Sequence, residues 1–139
     1  MEYNQFFVGT TAFVIKGGEI LLGKRKNVFG AGSWGLPGGH LELNESMQKA
    51  VARELYEETG LRCKSFEFLN IVNDPQGKKH YLQICFLAKN VKGVPTVKEV
   101  DKCEEWKYFS LNKLPKNVLP SHKKQIQTFL KKKNFTDSK

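Results

Sequence analysis

The sequence predicts an α/β (α+β) fold, a mixed β-sheet with helices packed on it. Three observations carry this. Short β-rich runs, separated by glycine and proline signals, occur in both halves of the chain. A helical stretch over 45–59 interrupts them. A second helix, anchored at Gln125 to Leu130, follows the last of them after Pro120. At 139 residues the chain has the size of one ordinary domain with its own core. We expect that domain to span 1–133, with 134–139 as a flexible tail.

Phe7-Val8 with Thr11 to Ile15, then Ile20 to Leu22, are two strand runs, and Gly17-Gly18 between them marks a hairpin. NVFGAGSWGLPGGH is rich in glycine and reads as loop, with a short strand at Trp34 to Leu36. Gly60 is a natural terminator for the 45–59 helix. Phe66 to Val72 and Tyr81 to Leu87 are strand-like, with NDPQGKK as the turn between them. Trp106 to Phe109 is a short aromatic strand.

The composition excludes several classes. A hydrophobic content of 40% with 27% charged residues is globular, and no apolar run approaches the roughly 18 residues of a membrane span. MEYNQFFVGTTAFVIKGG lacks a basic n-region and a cleavage site, so no secretory signal is expected. Cys63, Cys85 and Cys103 are odd in number and form no CxxC, which points to reduced thiols in a cytoplasmic protein. The net charge of +9 invites an anionic partner. Much of it lies at Lys113, Lys116, Lys123, Lys124 and Lys131 to Lys133. A solvated helix and tail explains that run better than nucleic-acid binding, for which no motif is present.

The segment GGHLELNESMQKAVARELYEETG inverts this charge balance. Glu42, Glu45, Glu54, Glu57 and Glu58 place five of the chain's 14 acids within it. Counting about 100° per residue, Met47, Ala50, Val51 and Leu55 form an apolar stripe. Glu54 and Glu58 fall inside that stripe and Glu57 at its edge. Like charges four apart destabilise a helix, burial raises the cost, and the C-terminal helix dipole adds to it. Lys49 and Arg53 are too few to balance five acids. A divalent cation with oxygen ligands fits better, and Mg²⁺ commonly takes one or two carboxylates plus substrate phosphates. Gly38 and Gly39 let the backbone approach a ligand, and the Gly38 carbonyl could complete a metal shell. Pro37 stiffens the approach. Upstream, Lys24, Arg25 and Lys26 end a strand. For Arg25 the guanidinium fork favours a phosphate contact, whereas for Lys24 and Lys26 a solvated strand end is an equal reading.

Gly39, five residues, Glu45, seven residues, then Arg53-Glu54-Leu55-Tyr56-Glu57-Glu58-Thr59-Gly60-Leu61 resembles a complete Nudix box. The resemblance extends over nearly the whole chain. It implies an α/β/α sandwich and hydrolysis of a nucleoside diphosphate linked to another group, with Mg²⁺ or Mn²⁺ as cofactor. It also implies that Glu54 and Glu58 are the principal metal ligands and that Glu57 binds metal or a metal-bound water. Arg53 would orient the carboxylates. Glu45, expected in the first helical turn, either supports a second metal or simply complements the helix N-terminus.

The flanking segments GKRKNVFGAGSWGLPGGHLE, VND…KHYLQICFLA and CEEWKYFSLNKLP resemble the MutT-related nucleoside-triphosphate diphosphatases. The implied reaction converts (deoxy)nucleoside triphosphates to monophosphate and pyrophosphate, which would suit sanitation of the nucleotide pool. The partner is then a small-molecule nucleotide, with no membrane and with a homodimer left open. Glu104, or its neighbour Glu105, matches a glutamate that approaches the metal in that branch. A solvated pair at a strand start is at least as good a reading of both. Asn117 resembles a base-reading asparagine, although an ordinary turn asparagine suits it better. Trp34 and Phe29 could stack on a base or fill the core. His40 either touches a phosphate or is a neutral loop residue. Pro75 lies where ADP-ribose diphosphatases of the family often carry proline, so ADP-ribose is the alternative substrate. A nucleotide-sensing domain without turnover is the third reading, and the intact carboxylate set argues against it. An RNA-end hydrolase rests on charge alone.

Overall fold

The computed structural model describes residues 5–137. Strand β1 (Gln5–Phe13) passes Val14 into β2 (Ile15–Lys16), and a turn at Gly17 and Gly18 returns the chain as β3 (Glu19–Arg25). There follow β4 (Trp34–Gly35), β5 (Gly38–His40), α1 (Met47–Thr59), β6 (Ser65–Gln76), β7 (Lys79–Lys89), β8 (Cys103–Ser110), α2 (Pro120–Leu130) and β9 (Phe135–Thr136). The main sheet has the order β5-β1-β7-β6-β9. It is mixed, because β1 runs parallel to β7 and β9 parallel to β6, while the other pairs are antiparallel. A second, antiparallel sheet centres on β3, which pairs with β2, β4 and β8.

Alternation along the strands divides the core between the two faces of the main sheet. Ala12, Val14, Ile84, Phe86 and Ala88 pack with Val51 and Leu55 of α1. Phe13 and Cys85, from the opposite face, pack with Ile126 of α2. The helices therefore cover opposite faces, and the expected α/β/α sandwich is present. α2 begins only at Pro120, so the Gly9, Tyr81 and Gln83 end of its face lines a cavity instead.

Several boundaries differ from expectation. NDPQGKK is mostly strand, since pairing runs from Ser65↔Lys89 to Gln76↔Lys79 and leaves only Gly77 and Lys78 as the turn. Gly77, at φ 61°, supplies the left-handed residue that lets so short a connection close. Pro75 is tolerated because β9 pairs β6 only at Ile71 and Val72, leaving one side of the strand free there. The loop before the helix contributes β5, paired with β1 from Gly9↔His40 to Thr11↔Gly38. The stretch from 134, expected as a tail, adds β9 over its described part, because its backbone can complete the β6 edge. Residues 1–4 and 138–139 lie outside the described residues.

Candidate active site

α1 is set by its caps and its apolar side. Ser46 has extended backbone and its hydroxyl accepts from the Lys49 N–H at 3.2 Å, so the helix begins at Met47. Gly60, at φ 76°, ends it by donating its N–H to the Tyr56 carbonyl. Ala50, Val51, Leu55 and Thr59 are buried, whereas Met47 is 45% exposed. The stripe thus lies one turn further along the helix than a count from Met47 suggests.

Glu54 and Glu58 do lie at the edge of this buried face, and β5 receives them. A Cβ at Gly39 would sit 2.5 Å from Glu54 Oε1, so the carboxylate rests directly on the strand backbone. A Cβ at Gly38 would meet the backbone of Thr10 and Thr11. Both positions require glycine for close approach. The Gly38 N–H donates to Glu58 Oε2 at 3.3 Å, and the Trp106 indole N–H donates to the Glu58 carbonyl at 3.1 Å. Gly23 leaves room for the Trp106 ring, which a Cβ there would meet at 2.7 Å.

Arg53 organises the remaining acids. Its guanidinium reaches Glu45 at 2.7 Å, Glu54 at 2.9 Å, Glu57 at 3.4 Å and Glu42 at 3.6 Å. A fifth acceptor, the His40 carbonyl, lies at 3.4 Å. Glu45 consequently precedes the helix instead of occupying its first turn. Its hydrogen bond to Arg53, helped by the Glu42 N–H, holds its carboxyl below the usual carboxylate range. Glu58 behaves oppositely. Burial raises its pKa well above the ordinary value, the charge of Glu54 adds to this, the Gly38 N–H opposes it, and Glu99 contributes further.

Glu42, Arg53, Glu54, Glu57 and Glu58, but not Glu45, line a cleft of about 510 Å³ with Arg25, His40, Lys102, Cys103 and Trp106. Arg25 forms part of the opposite wall and donates Nε–H to the Phe29 carbonyl at 2.8 Å. Its burial lowers its pKa, while the Glu58 charge works against that. A second cavity of about 180 Å³ adjoins the cleft and shares Arg25, Leu36, Gly38, Gly39 and His40 with it. The ring of His40 stacks with Phe7 at 5.6 Å and lies 3.3 Å from the Tyr81 hydroxyl through Nε2.

Other expected residues lie elsewhere. Glu104 pairs with Lys24 at 3.5 Å on the strand pair β3/β8 and does not line the cleft, and neither does Glu105. Glu99 takes a place in the wall instead. No local pattern marks it. The 92–102 segment is brought there by backbone bonds from Thr96 N–H to Thr59 O and from Lys98 N–H to Glu58 O. Trp34 packs edge-on against Phe109 at 4.8 Å within the α2-side core, so it is no stacking platform. Asn117 ties down a loop, its side chain donating to Gly32 O and its carbonyl accepting from Trp34 N–H. Pro75 and Lys26 line neither cavity, whereas Phe29 lines the second one.

The NUDIX domain model matches residues 6–129. The chain belongs to the NUDIX family. It is a Nudix hydrolase of the MutT-like type, similar to a MutT NUDIX hydrolase of Burkholderia pseudomallei with a TM-score of 0.84. That likeness has 34% identity and covers 88% of this chain and 97% of the other. An ADP-ribose pyrophosphatase of Methanocaldococcus jannaschii is 37% identical, over 91% of this chain and 75% of the relative. An oxidized purine nucleoside triphosphate hydrolase of Danio rerio is 33% identical, over 76% and 67%. No helix among the described residues is long and apolar enough to cross a membrane, and the three cysteines are free.

Among the described residues, no three His, Cys, Asp or Glu side chains converge as a ready-made metal cage. The pair Glu54 and Glu58 nonetheless fits a divalent cation. They are neighbouring carboxylates, one of them driven toward its protonated form by burial and by the other, and a bound cation would relieve both effects.

Proposed function

We propose that this Nudix hydrolase is a metal-dependent nucleoside-triphosphate diphosphatase. It would convert (deoxy)nucleoside triphosphates and water to the monophosphate and pyrophosphate, a role suited to cleansing the nucleotide pool. The observation that carries the reading is the apposition of Glu54 and Glu58 on the glycines of β5, with Arg25 across the cleft. Glu54 and Glu58 would hold Mg²⁺ or Mn²⁺, with the Gly38 carbonyl completing the shell. When bound, such an ion polarises a phosphoryl oxygen and lowers the pKa of an attacking water. Glu57, half-exposed at the mouth, is placed to take the proton of that water or to add a ligand. Arg53 is a positioning residue, fixing Glu54 and Glu57 at once. Arg25 supplies positive charge for the polyphosphate. Water attack on phosphorus breaks one P–O anhydride bond, and the pyrophosphate departs with the electron pair.

The relative named for ADP-ribose favours a second reading, in which the anhydride lies between the phosphate of adenosine and that of a ribose without a base. A hydrolysis panel with Mg²⁺ separates them, using canonical and oxidised triphosphates, ADP-ribose, dinucleoside polyphosphates and capped RNA. Monophosphate with pyrophosphate from triphosphates is expected. Preference for ADP-ribose would move the assignment to the second reading, and tight nucleotide binding without any turnover would refute both.

A further inference from the structure

Helix α1 presents Glu54, Glu57 and Glu58 at its C-terminal end, and its last turn contains no basic residue. The carbonyls of that turn carry partial negative charge and lack helical partners. Donors from outside the helix supply them. The Gly60 N–H reaches the Tyr56 carbonyl. The Thr96 N–H and hydroxyl reach the Thr59 carbonyl at 2.9 and 3.4 Å. The Glu58 carbonyl receives the Lys98 N–H at 3.3 Å and the Trp106 indole N–H at 3.1 Å. Of these two, only the indole bond falls within the usual range of roughly 2.7–3.2 Å. Trp106 reaches α1 from the second sheet. The register of β3 and β8 sets it opposite Gly23, and the indole lies over that glycine. A Cβ at Gly23 would fall between 2.7 and 2.9 Å from three of its carbons, so bare backbone there decides where the ring, and hence its N–H, can lie.

We propose that Trp106, seated on Gly23, is a positioning residue for the cation site: its indole N–H fixes the backbone of Glu58 and through it the aim of the carboxylate. Glu58 needs such a tether more than its neighbours do. Arg53 bonds the carboxylates of Glu54 and Glu57 and does not reach that of Glu58. The Glu58 carboxylate meets the Gly38 N–H at 3.3 Å, and the nearby Glu54 charge works against it. Its direction is therefore set largely from the main-chain side, where the indole bond is the shorter of two ties. Ligand carboxylates work only within about 0.5 Å of the productive geometry, and loss of a partner that orients a ligand typically lowers metal affinity by about tenfold or more. Trp106 also lines the cleft, so a ring contact with substrate is the competing role that the test must separate.

This role rests on the metal-dependent reading above, and its first readout is metal binding without turnover. Mn²⁺ binding to the full chain is followed by electron paramagnetic resonance in the absence of nucleotide. KM for a triphosphate is then measured at saturating Mg²⁺. Trp106→Phe keeps an aromatic ring over Gly23 and removes the N–H. Gly23→Ala keeps the N–H and displaces the ring. Phe109→Leu, in the α2-side core, controls for loss of stability alone. Both Trp106→Phe and Gly23→Ala should raise the Mn²⁺ Kd at least threefold, with KM at saturating metal within twofold of wild type. A rise of less than threefold in either variant, or an equal rise in Phe109→Leu, would overturn the assignment. A KM that rises by twofold or more would make the ring a substrate contact and overturn it as well. Wild type that binds no Mn²⁺ would instead remove the metal reading itself, and the positioning role with it.

Discussion

Acid destabilisation traceable to one residue is the sharpest consequence of how His122 is buried. Burial, reinforced by the nearby Arg25 charge, lowers its pKa from 6.5 to about 3. Protonation would also break the bond that Nδ1 accepts from Leu36. A histidine with a lowered folded-state pKa takes up its proton in the unfolded chain first, so stability falls as pH drops below the unfolded value. Between pH 7.5 and pH 5 this removes about 2 kcal/mol, at 1.36 kcal/mol per pH unit below the unfolded pKa. The figure is insensitive to the folded value, since any pKa below roughly 4 gives the same loss at pH 5. The measurement is urea unfolding of wild type and His122→Gln at both pH values, in chelator and at constant ionic strength. Other groups titrate in both proteins, so the difference between the two curves isolates the imidazole. Wild type should lose about 2 kcal/mol more than the variant on acidification. Parallel curves, with the gap changing by less than about 0.5 kcal/mol, would show that the folded protein accepts the proton and would refute the buried, neutral assignment.

Three further outcomes test the carboxylate cleft. Glu54→Gln and Glu58→Gln should each reduce kcat by about a hundredfold or more, with the fold intact by circular dichroism, because each would remove a ligand and not merely its support. A raised folded-state pKa contributes stability below the unfolded pKa and loses it as pH rises through the folded one. Glu58→Gln should therefore raise the metal-free Tm at pH 7.5 relative to wild type. A lower Tm would contradict the burial argument, and near wild-type turnover of both variants would remove the metal assignment. Glu99→Gln should weaken kcat/KM and shift the Mg²⁺ titration, whereas Glu104→Gln, whose carboxylate faces Lys24, should stay within twofold. The reverse order in a metal titration would restore Glu104 to the site.

What was legible in the sequence was what is local. The helix with acids on its packed side follows from spacing and a terminal glycine, all within a few turns of chain. Its start was misplaced by two positions because Glu45 resembles a first-turn acid until Ser46 is seen to cap. The Gly17-Gly18 hairpin, the β8 strand and α2 were legible for the same reason. The misses involve partners distant in sequence. β9 exists because β6 has an edge to offer it, and the backbone of 134–137 alone carries no such signal. NDPQGKK has turn composition throughout, yet the β6–β7 pairing draws all of it but Gly77 and Lys78 into register. Trp34 and Asn117 look like ligand residues, but they bond to each other's segments across the α2-side core. Glu104 and Glu99 are five residues apart; Glu104 sits beside Lys24 on the β3/β8 pair, while backbone bonds from Thr96 and Lys98 to the end of α1 bring Glu99 to the cleft.

The same geometry explains why so many acids can crowd one short segment of a basic chain. Arg53 meets Glu42, Glu45, Glu54 and Glu57, so one buried-side guanidinium stabilises most of the set without any external ion. The segment's acids are therefore not equal claimants on a cation, as their count alone suggests. Glu58 is the one Arg53 does not reach; the Gly38 N–H donates to its carboxylate, and the Glu54 carboxyl lies against it. Its neighbour Glu54 is anchored from one side by Arg53 and leans on bare backbone at Gly39 on the other. Loss of Arg53 should thus disorder the carboxylates before it changes the chemistry, while loss of Glu58 should change the chemistry and relieve the fold. Helix α1 carries both effects because the face that packs it on β1 is continuous with the face that presents the acids.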